Sequence, residues 1–500
     1  MMRYASLMPE KKPSSLRLYN TFRKKEETFE PITAGKVTMY TCGPTVYGRP
    51  HIGNYASFLM ADLLRRWLEV SGYKVTHVKN ITDVGHLLHD ADQGDDKVQK
   101  QAEREKVHPL DIARRYEKEF LEDEKELNMH EPEHRPRASE YVRQMLVLVK
   151  KLLANGNAYE TADGIYFSVE SFPQYGTLSG NTLENLSAGA RIEVKEAKKH
   201  PADFALWKKC VGDNGVHILR WSYATGEIAK TEGEDPTVGF PGWHIECSAM
   251  SSSLLGEQID IHTGGEDNIF PHHECEIAQS EASSGKSPFV KYWVHRRRIN
   301  MGDEKMSKSL GNVLSLPDIV EKGFSPLDLR YYLLSVHYRT NLKFTLKGLE
   351  DAKKARRKIM EWMSWMVSMK PVTSVEDLLP TEKASLWSDQ FTDAMNADLN
   401  TPTALAVTFE AMNATRVGKY FDAQGLIEIL KFIALVRKSL GCFEPEEEKE
   451  IPVNIQQLVD ARAAARAEKD FAKSDALRIQ IREHGYEVRD VGGKQEVRKM

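Results

Sequence analysis

Residues 36–83, KVTMYTCGPTVYGRPHIGNYASFLMADLLRRWLEVSGYKVTHVKNITD, decide the architecture of the amino-terminal half. KVTMYT is rich in β-branched and aromatic residues and runs into Gly43 and Pro44, the pattern of a strand broken by a turn. From Ile52 onward Leu59, Leu63 and Trp67 recur at i, i+4 and i+8 with Met60, Leu64 and Leu68 beside them, the wide apolar face of a helix that Gly72 stops. KVTHVKNIT then reads as a second strand. Strand, helix, strand is a βαβ unit, whose parallel crossover is right-handed. In doubly wound sheets ligands bind beyond the carboxyl ends of the strands, so the candidate site is residues 41–50 and 82–85.

Charged helical text from about residue 109 to 153 gives way to a glycine- and aromatic-rich stretch at 159–234, an inserted mixed subdomain. A helix over 243–255, the apolar IDIHTGG, the helical PHHECEIAQSEAS and the aromatic strand FVKYWVH then resume the α/β pattern, so the insertion splits the sheet. After Phe344 helical text runs almost to Phe443, with Leu405, Phe409 and Met412 and then Leu426, Leu430 and Ile433 as the apolar stripes of a bundle. FEPEEEKEIP is a linker, and the remaining residues read as a short helix pair and a small β element.

The 500 residues suggest roughly three domains. With 41% hydrophobic and 28% charged residues, and no apolar run near the roughly 18 residues of a membrane span, the chain does not read as a transmembrane protein. The first fifteen residues mix charge and proline, unlike a secretory signal, and the expected compartment is the cytoplasm. A net charge of -4 means that a nucleic-acid partner must be held by a local basic surface. Five cysteines without a CxxC pair argue against a disulfide framework or a compact zinc ribbon, so a metal site must gather its ligands from afar.

HIGN at 51–54 opens the first helix, where backbone N–H groups can meet phosphate, Gly53 lets a nucleotide approach and His51 can donate to a phosphoryl oxygen. Alone, a histidine beside a turn is usually a surface or packing residue. KMSKS at 305–309 places Lys305 and Lys308 in a polar loop suited to closing over a triphosphate, whereas most KxxK sequences are solvated loops. The two together, at opposite ends of a split nucleotide fold, point to adenylate chemistry.

These two sequences resemble the signatures of the class I aminoacyl-tRNA synthetases, Asn54 being the one departure, a residue that hydrogen-bonds without charge. TCGPTVYGRPHIGN, PGWHIECSAM, DIHTGGEDNIFPHHECEIAQS and KMSKSLGN resemble specifically the cysteinyl-tRNA synthetase family, nearly end to end, from LRLYNT to SDALRIQIREHGYEVRD. The resemblance implies an α/β fold, a split Rossmann-like parallel sheet with an inserted subdomain, followed by a helical bundle and a small C-terminal anticodon-binding module. Its expected divisions are catalytic halves at 16–140 and 237–315, the insertion at 141–236, a stem-contact region at 316–345, the bundle at 346–445 and the anticodon module at 453–500. The implied function is ATP-dependent activation of L-cysteine to cysteinyl-adenylate and transfer to the terminal adenosine of tRNA(Cys). A monomer is expected, with Mg2+ accompanying ATP and one Zn2+ per chain selecting the substrate thiolate.

By resemblance the zinc ligands fall on Cys42, Cys247, His272 and Glu276, and His272 and Glu276, four apart, would share a helix face. Cys275 stands where asparagine is expected, about 100° round the helix from Glu276, and is left off the ligand list. Cys210 and Cys442 belong to no motif. Gly43, Thr82 and Trp243 would line the cysteine pocket, their blander roles being turn, helix cap and core aromatic. In GGED, Asp267 would hold the ATP ribose while Gly264 and Gly265 let adenosine lie against the backbone. His51, Asn54, Lys305 and Lys308 form the catalytic set, with His51, Gly53 and Lys308 at the ATP phosphates. Arg296 to Arg298, residues 353–358, and Arg462, Arg466 and Lys469 are candidate RNA-facing cations. The insertion lacks an evident hydrolytic constellation, so no editing domain is expected. The alternatives are a ligase joining cysteine to an amino sugar, which the long segment after Phe344 disfavours, and a silent zinc or RNA-binding scaffold, which needs neither signature.

Overall fold

A computed structural model describes residues 16–84, 97–181, 198–230, 232–302, 304–305, 313–372, 378–379, 381–416, 421–444, 452–468, 470–491 and 494–499. Its centre is a four-stranded, wholly parallel sheet of β1 (Lys36–Thr41), β2 (Lys74–Lys79), β3 (Ile259–Gly265) and β4 (Val290–Arg296), in the spatial order β4-β3-β1-β2. Helix α1 (Ile52–Val70) links β1 to β2, α2 (Trp243–Leu255) precedes β3, and α3 (Glu274–Ser284) links β3 to β4. Successive residues of a strand face opposite sides of a sheet. Val37 and Met39 therefore enter one core with Leu59, Leu63 and Trp67 of α1, while Tyr40 enters a second with Val78, Trp293 and Ile245 of α2. The order reverses between β1 and β3, which makes the crevice beyond their carboxyl ends the ligand site of such a sheet.

The chain between β2 and α2 contributes a separate five-stranded antiparallel sheet, in the order Ala158–Glu160, Gly164–Phe167, Phe204–Cys210, Asp235–Pro241, Trp221–Ser222. The helix Val142–Ala154 packs on both α2 and α3. Beyond β4, Ile299–Met301 pairs with Glu304–Lys305 and with Leu342–Phe344. Helices Leu346–Ser368, Thr381–Asn396, Thr401–Thr415 and Ala423–Leu440 form the bundle, whose Trp387, Phe391, Leu405, Phe432 and Ile433 continue the core of α1. A hairpin of Arg17–Asn20 with Lys25–Thr28, which the sequence patterning does not reveal, lies at the amino-terminal end of the described chain.

The chain divides into two compact units, the second comprising residues 321–323 and 444–500. In it Val453–Ala467 and Phe471–Glu483 pack around Ile455, Val459 and Ile481, with a hairpin of Tyr486–Val491 and Lys494–Lys499. No helix among the described residues is long and apolar enough to cross a membrane.

Candidate metal and nucleotide site

Four side chains meet in the crevice beyond β1 and β3. Cys42 follows the last residue of β1, Cys247 lies in the second turn of α2, and His272 and Glu276 come from the kinked entry into α3, where Phe270 is extended (φ -136°, ψ 133°) between helical neighbours. Their contacts run in series from Cys247 to His272. The Cys42 and Cys247 sulfurs are 3.9 Å apart, the Cys42 sulfur is 3.8 Å from Glu276 Oε1, and that oxygen is 3.0 Å from His272 Nε2. All four are buried. His273 also presents Nε2 to Cys42 at 3.3 Å, and the ligand atoms of Cys42, His272, His273 and Glu276 all lie within 4.8 Å of one another.

Burial works against every charge here, and the neighbours decide which survive. Burial pushes Glu276 up, yet His262 and His272 draw its carboxyl down to about 2. His272 is raised to about 10 against its burial by Cys247 and Glu276. Of the paired thiols, Cys42 is pushed well above its ordinary range by burial and by Cys247, while Cys247, opposed by burial, is lowered by the hydrogen bond from Cys42 and by His272. Two sulfurs, an imidazole and a carboxylate of this character are the donor set that a tetrahedral, thiophilic divalent ion takes.

A shell of hydrogen bonds orients these groups. The other Glu276 oxygen contacts His262 Nε2 at 3.1 Å, and His262 stacks on Trp293. His244 Nδ1 lies 3.0 Å from His272 Nδ1, and Trp243, half-buried, stacks on the His272 ring at 4.4 Å. His273 Nδ1 is 2.7 Å from His295 Nε2, which is tied in turn to Thr21. The sequence reading missed this histidine cluster and also Asn80 and Glu246. A visible signal was that HIECS, DIHTGG, PHHECE and KYWVH each carry histidine where a core helix begins or a core strand runs toward its carboxyl end.

Gly43 and Thr82 are joined through Asn80: Gly43 N donates to Asn80 Oδ1 at 2.8 Å and Asn80 Nδ2 donates to Thr82 Oγ1 at 3.1 Å. Thr82 Oγ1 donates to Glu246 Oε2 at 3.0 Å rather than capping a helix. Position 43 requires glycine, because a Cβ would stand 1.6 Å from the Asn80 carbonyl oxygen. At Gly264 a Cβ would lie 2.7 Å from the His273 ring, so the glycine makes room for that imidazole. Gly265 ends β3, and Asp267 follows in the turn Glu266–Asn268, half exposed and 3.0 Å from Arg298.

His51 is the N-cap of α1. Its Nδ1 accepts from Gly53 N and Asn54 N, while the Asn54 side-chain oxygen accepts from His51 N at 3.0 Å, a reciprocal capping box. The first N–H groups of α1 are thus taken by an imidazole, contrary to the expectation that they face phosphate. Accepting at Nδ1 fixes the neutral tautomer with its hydrogen on Nε2, which makes His51 a donor. Lys305 ends the short strand Glu304–Lys305. Its side chain and all of Lys308 lie outside the described residues, as do Gly85 and Lys469.

The basic runs are less available to RNA than their spelling suggests. Arg296 is buried and donates to the carbonyls of Tyr338 and Thr340, Arg356 is buried against Asp328 and the Cys442 carbonyl, and Arg462 is buried in the second unit. Lys354, Arg357, Lys358 and Arg466 remain exposed.

Comparison with known proteins gives three family matches: tRNA synthetases class I (C) catalytic domain over residues 28–354, a DALR domain over 390–444, and the cysteinyl-tRNA ligase anticodon binding domain over 448–498. Similar relatives include the cysteine-tRNA ligase of Chlorobaculum tepidum, 40% identical over 498 residues that cover 95% of this chain and 97% of the relative. The cysteine-tRNA ligase of Thermus thermophilus is 41% identical over 485 residues, with coverage of 95% and 97%. Among solved structures, the methionyl-tRNA synthetase of Mycobacterium tuberculosis in complex with methionyl-adenylate superposes with a TM-score of 0.56 at 14% identity, covering 88% of this chain and 96% of that one, a likeness of fold.

Proposed function

Because the chain belongs to the cysteine-tRNA ligase family of class I aminoacyl-tRNA synthetases, and so joins cysteine to tRNA, we propose that its selectivity resides in a zinc ion held by Cys42, Cys247, His272 and Glu276. The observation that carries this reading is the series of contacts, Cys247 to Cys42 to Glu276 to His272, that brings those four buried side chains together at the switch point of the sheet. A zinc ion held there by Cys42, Cys247, His272 and Glu276 would supply a thiophilic Lewis acid that lowers a thiol's pKa, a preference the harder hydroxyl of serine would not match. Selection of that kind needs no hydrolytic editing, unlike the discrimination of apolar side chains one methylene apart, where binding supplies only about 1–3 kcal/mol.

The remaining residues position the reactants. Gly43, Thr82 and Trp243 line the cysteine side of the crevice, and Asp267 receives the ATP ribose. The cysteine carboxylate attacks the α-phosphorus of ATP, whose Mg2+ accompanies the pyrophosphate that leaves; no protein nucleophile is required. His51, donating from Nε2, and Lys308 hold the phosphoryl oxygens as charge develops, and Lys305 keeps the loop closed. Asn54 serves this step through His51, by closing the cap that fixes the imidazole. The terminal ribose of tRNA(Cys), through its 2′-hydroxyl, then takes the cysteinyl group and AMP departs. A monomer suffices for each step, and the cytoplasm supplies every reactant.

Labelled cysteine should enter acid-precipitable tRNA only with ATP, and labelled serine should not. In Cys247→Ser, zinc content and preference for cysteine over serine should fall together. Full zinc by elemental analysis in that variant would remove Cys247 from the ligand set; loss of zinc in His273→Gln but not in His272→Gln would exchange the two histidines.

A further inference from the structure

β3 and β4 run parallel with Gly265 opposite Arg296, so the residues that follow, Glu266–Asp267 and Arg297–Arg298, leave the sheet side by side. The sequence reading counted both arginines among the RNA-facing cations, but their partners lie in the crevice. Arg297 Nη1 donates to Glu266 Oε2 at 2.9 Å. Arg298 spans both acids: Nε lies 2.7 Å from Glu266 Oε1 and Nη2 lies 3.0 Å from Asp267 Oδ1. Glu266 also accepts from the Arg298 main-chain N–H, and its side chain is only 12% exposed, whereas that of Asp267 is 53% exposed. The Arg298 main chain is itself held, because its carbonyl accepts from Leu342 N at 3.2 Å and Arg297 N donates to the Tyr338 carbonyl at 2.9 Å.

These contacts separate two roles. Glu266, nearly enclosed and paired through both oxygens, is an anchor. Asp267, open to the crevice, is the carboxylate that meets a ligand, and on a short side chain at a turn it would sample several rotamers unless held. A guanidinium presents donors in a rigid fork, so fixing Nε on Glu266 fixes the direction in which Nη2 holds Asp267. We infer that Arg298 is a positioning residue for the nucleotide: it holds the Asp267 carboxylate for the ribose hydroxyls and so helps ATP to be preferred over deoxynucleotides. The inference rests on the reading of Asp267 as the ribose ligand. It goes beyond that reading by making hydroxyl recognition depend on a residue that need not touch the nucleotide.

The test is cysteine-dependent pyrophosphate exchange by the full-length zinc-loaded enzyme with ATP, 2′-deoxyATP and 3′-deoxyATP, comparing kcat/KM ratios. In Arg298→Gln the preference for ATP over the more discriminated deoxynucleotide should narrow roughly three- to tenfold, the scale of a half-exposed ion pair with a charge-assisted hydrogen bond. Arg298→Lys should recover part of it, and KM for cysteine should stay unchanged in both. A merely structural arginine would slow all three nucleotides equally, and an unchanged ratio in Arg298→Gln would overturn the inference. Asp267→Asn provides the control on its premise. If Asp267→Asn narrows the ratio and Arg298→Gln does not, only the arginine's role falls; if Asp267→Asn leaves the ratio intact, the ribose reading fails and the inference with it. In the double variant no further narrowing is expected, since Arg298 acts through Asp267.

Discussion

Asp83 has almost no water around its carboxyl group and accepts from Ser139 N at 2.8 Å and Ser139 Oγ at 2.6 Å. Burial raises its pKa from 3.8 to about 6, with the Ser139 donors pulling the other way. The folded protein therefore binds this proton more tightly than the unfolded chain. Stability should fall as pH rises from about 4 to 6 and level off above, the ionised carboxylate costing at most about 3 kcal/mol. Asp83→Asn imitates the protonated form, so between pH 5 and pH 7.5 its urea midpoint should drop less than that of the wild type. An equal drop in both would show that Asp83 does not carry this dependence. Position in the sheet made only the neighbourhood legible: Cys42 and Gly43 follow β1 and Thr82 follows β2, within the windows 41–50 and 82–85, while their individual roles came from the family resemblance. Glu246 was not legible, because its meaning lies in Thr82, 164 residues earlier, and no local spacing encodes that pairing.

Helix α1 shows the same division within one element. Its apolar stripe was readable from the 3.6-residue period, but Asp62, Arg65 and Arg66 are buried in its midst and break that pattern. The explanation is a charge cluster gathered from distant segments. Asp62 pairs with Arg66 at 2.8 Å and with Arg330 at 2.5 Å and accepts from His130 N, while Arg330 donates to the carbonyls of Leu127, Asn128 and Leu440. Helix α1, the helix Pro326–Leu334 and the end of the bundle helix Ala423–Leu440 are thus fastened at one buried point. Removing one member of such a cluster leaves an uncompensated charge. Arg330→Met should destabilise the first unit by about 3–5 kcal/mol, read as a shift of the urea midpoint, and a shift below about 1 kcal/mol would mean that Asp62 is satisfied without it. The antiparallel sheet of the insertion was read only as mixed text, since its short strands, interrupted by turns, present no sustained period.

In the whole molecule the boundary after Phe443 separates a unit that holds Cys42, His51, Cys247, Asp267, His272 and Glu276 from one matched by an anticodon-binding family. A chain ended at residue 443 should therefore keep cysteine-dependent pyrophosphate exchange within about twofold. It should lose at least about tenfold in kcat/KM for tRNA, about 1.4 kcal/mol. Equal losses in both assays would show that the second unit supports the catalytic fold rather than the RNA. The split sheet was legible because both halves keep the α/β pattern on either side of the insertion, but the convergence of the histidines was not, being a property of strand order. The insertion has one more effect, on synthesis. Cys42 and Glu276 stand 234 residues apart in the chain. At about 5–20 residues per second, a ribosome releases the first of these roughly ten to fifty seconds before the last. For most of that interval, until Cys247 follows 205 residues after Cys42, the first thiol has none of its companions, so a metal held by these four side chains would be acquired late, once translation has passed into α3.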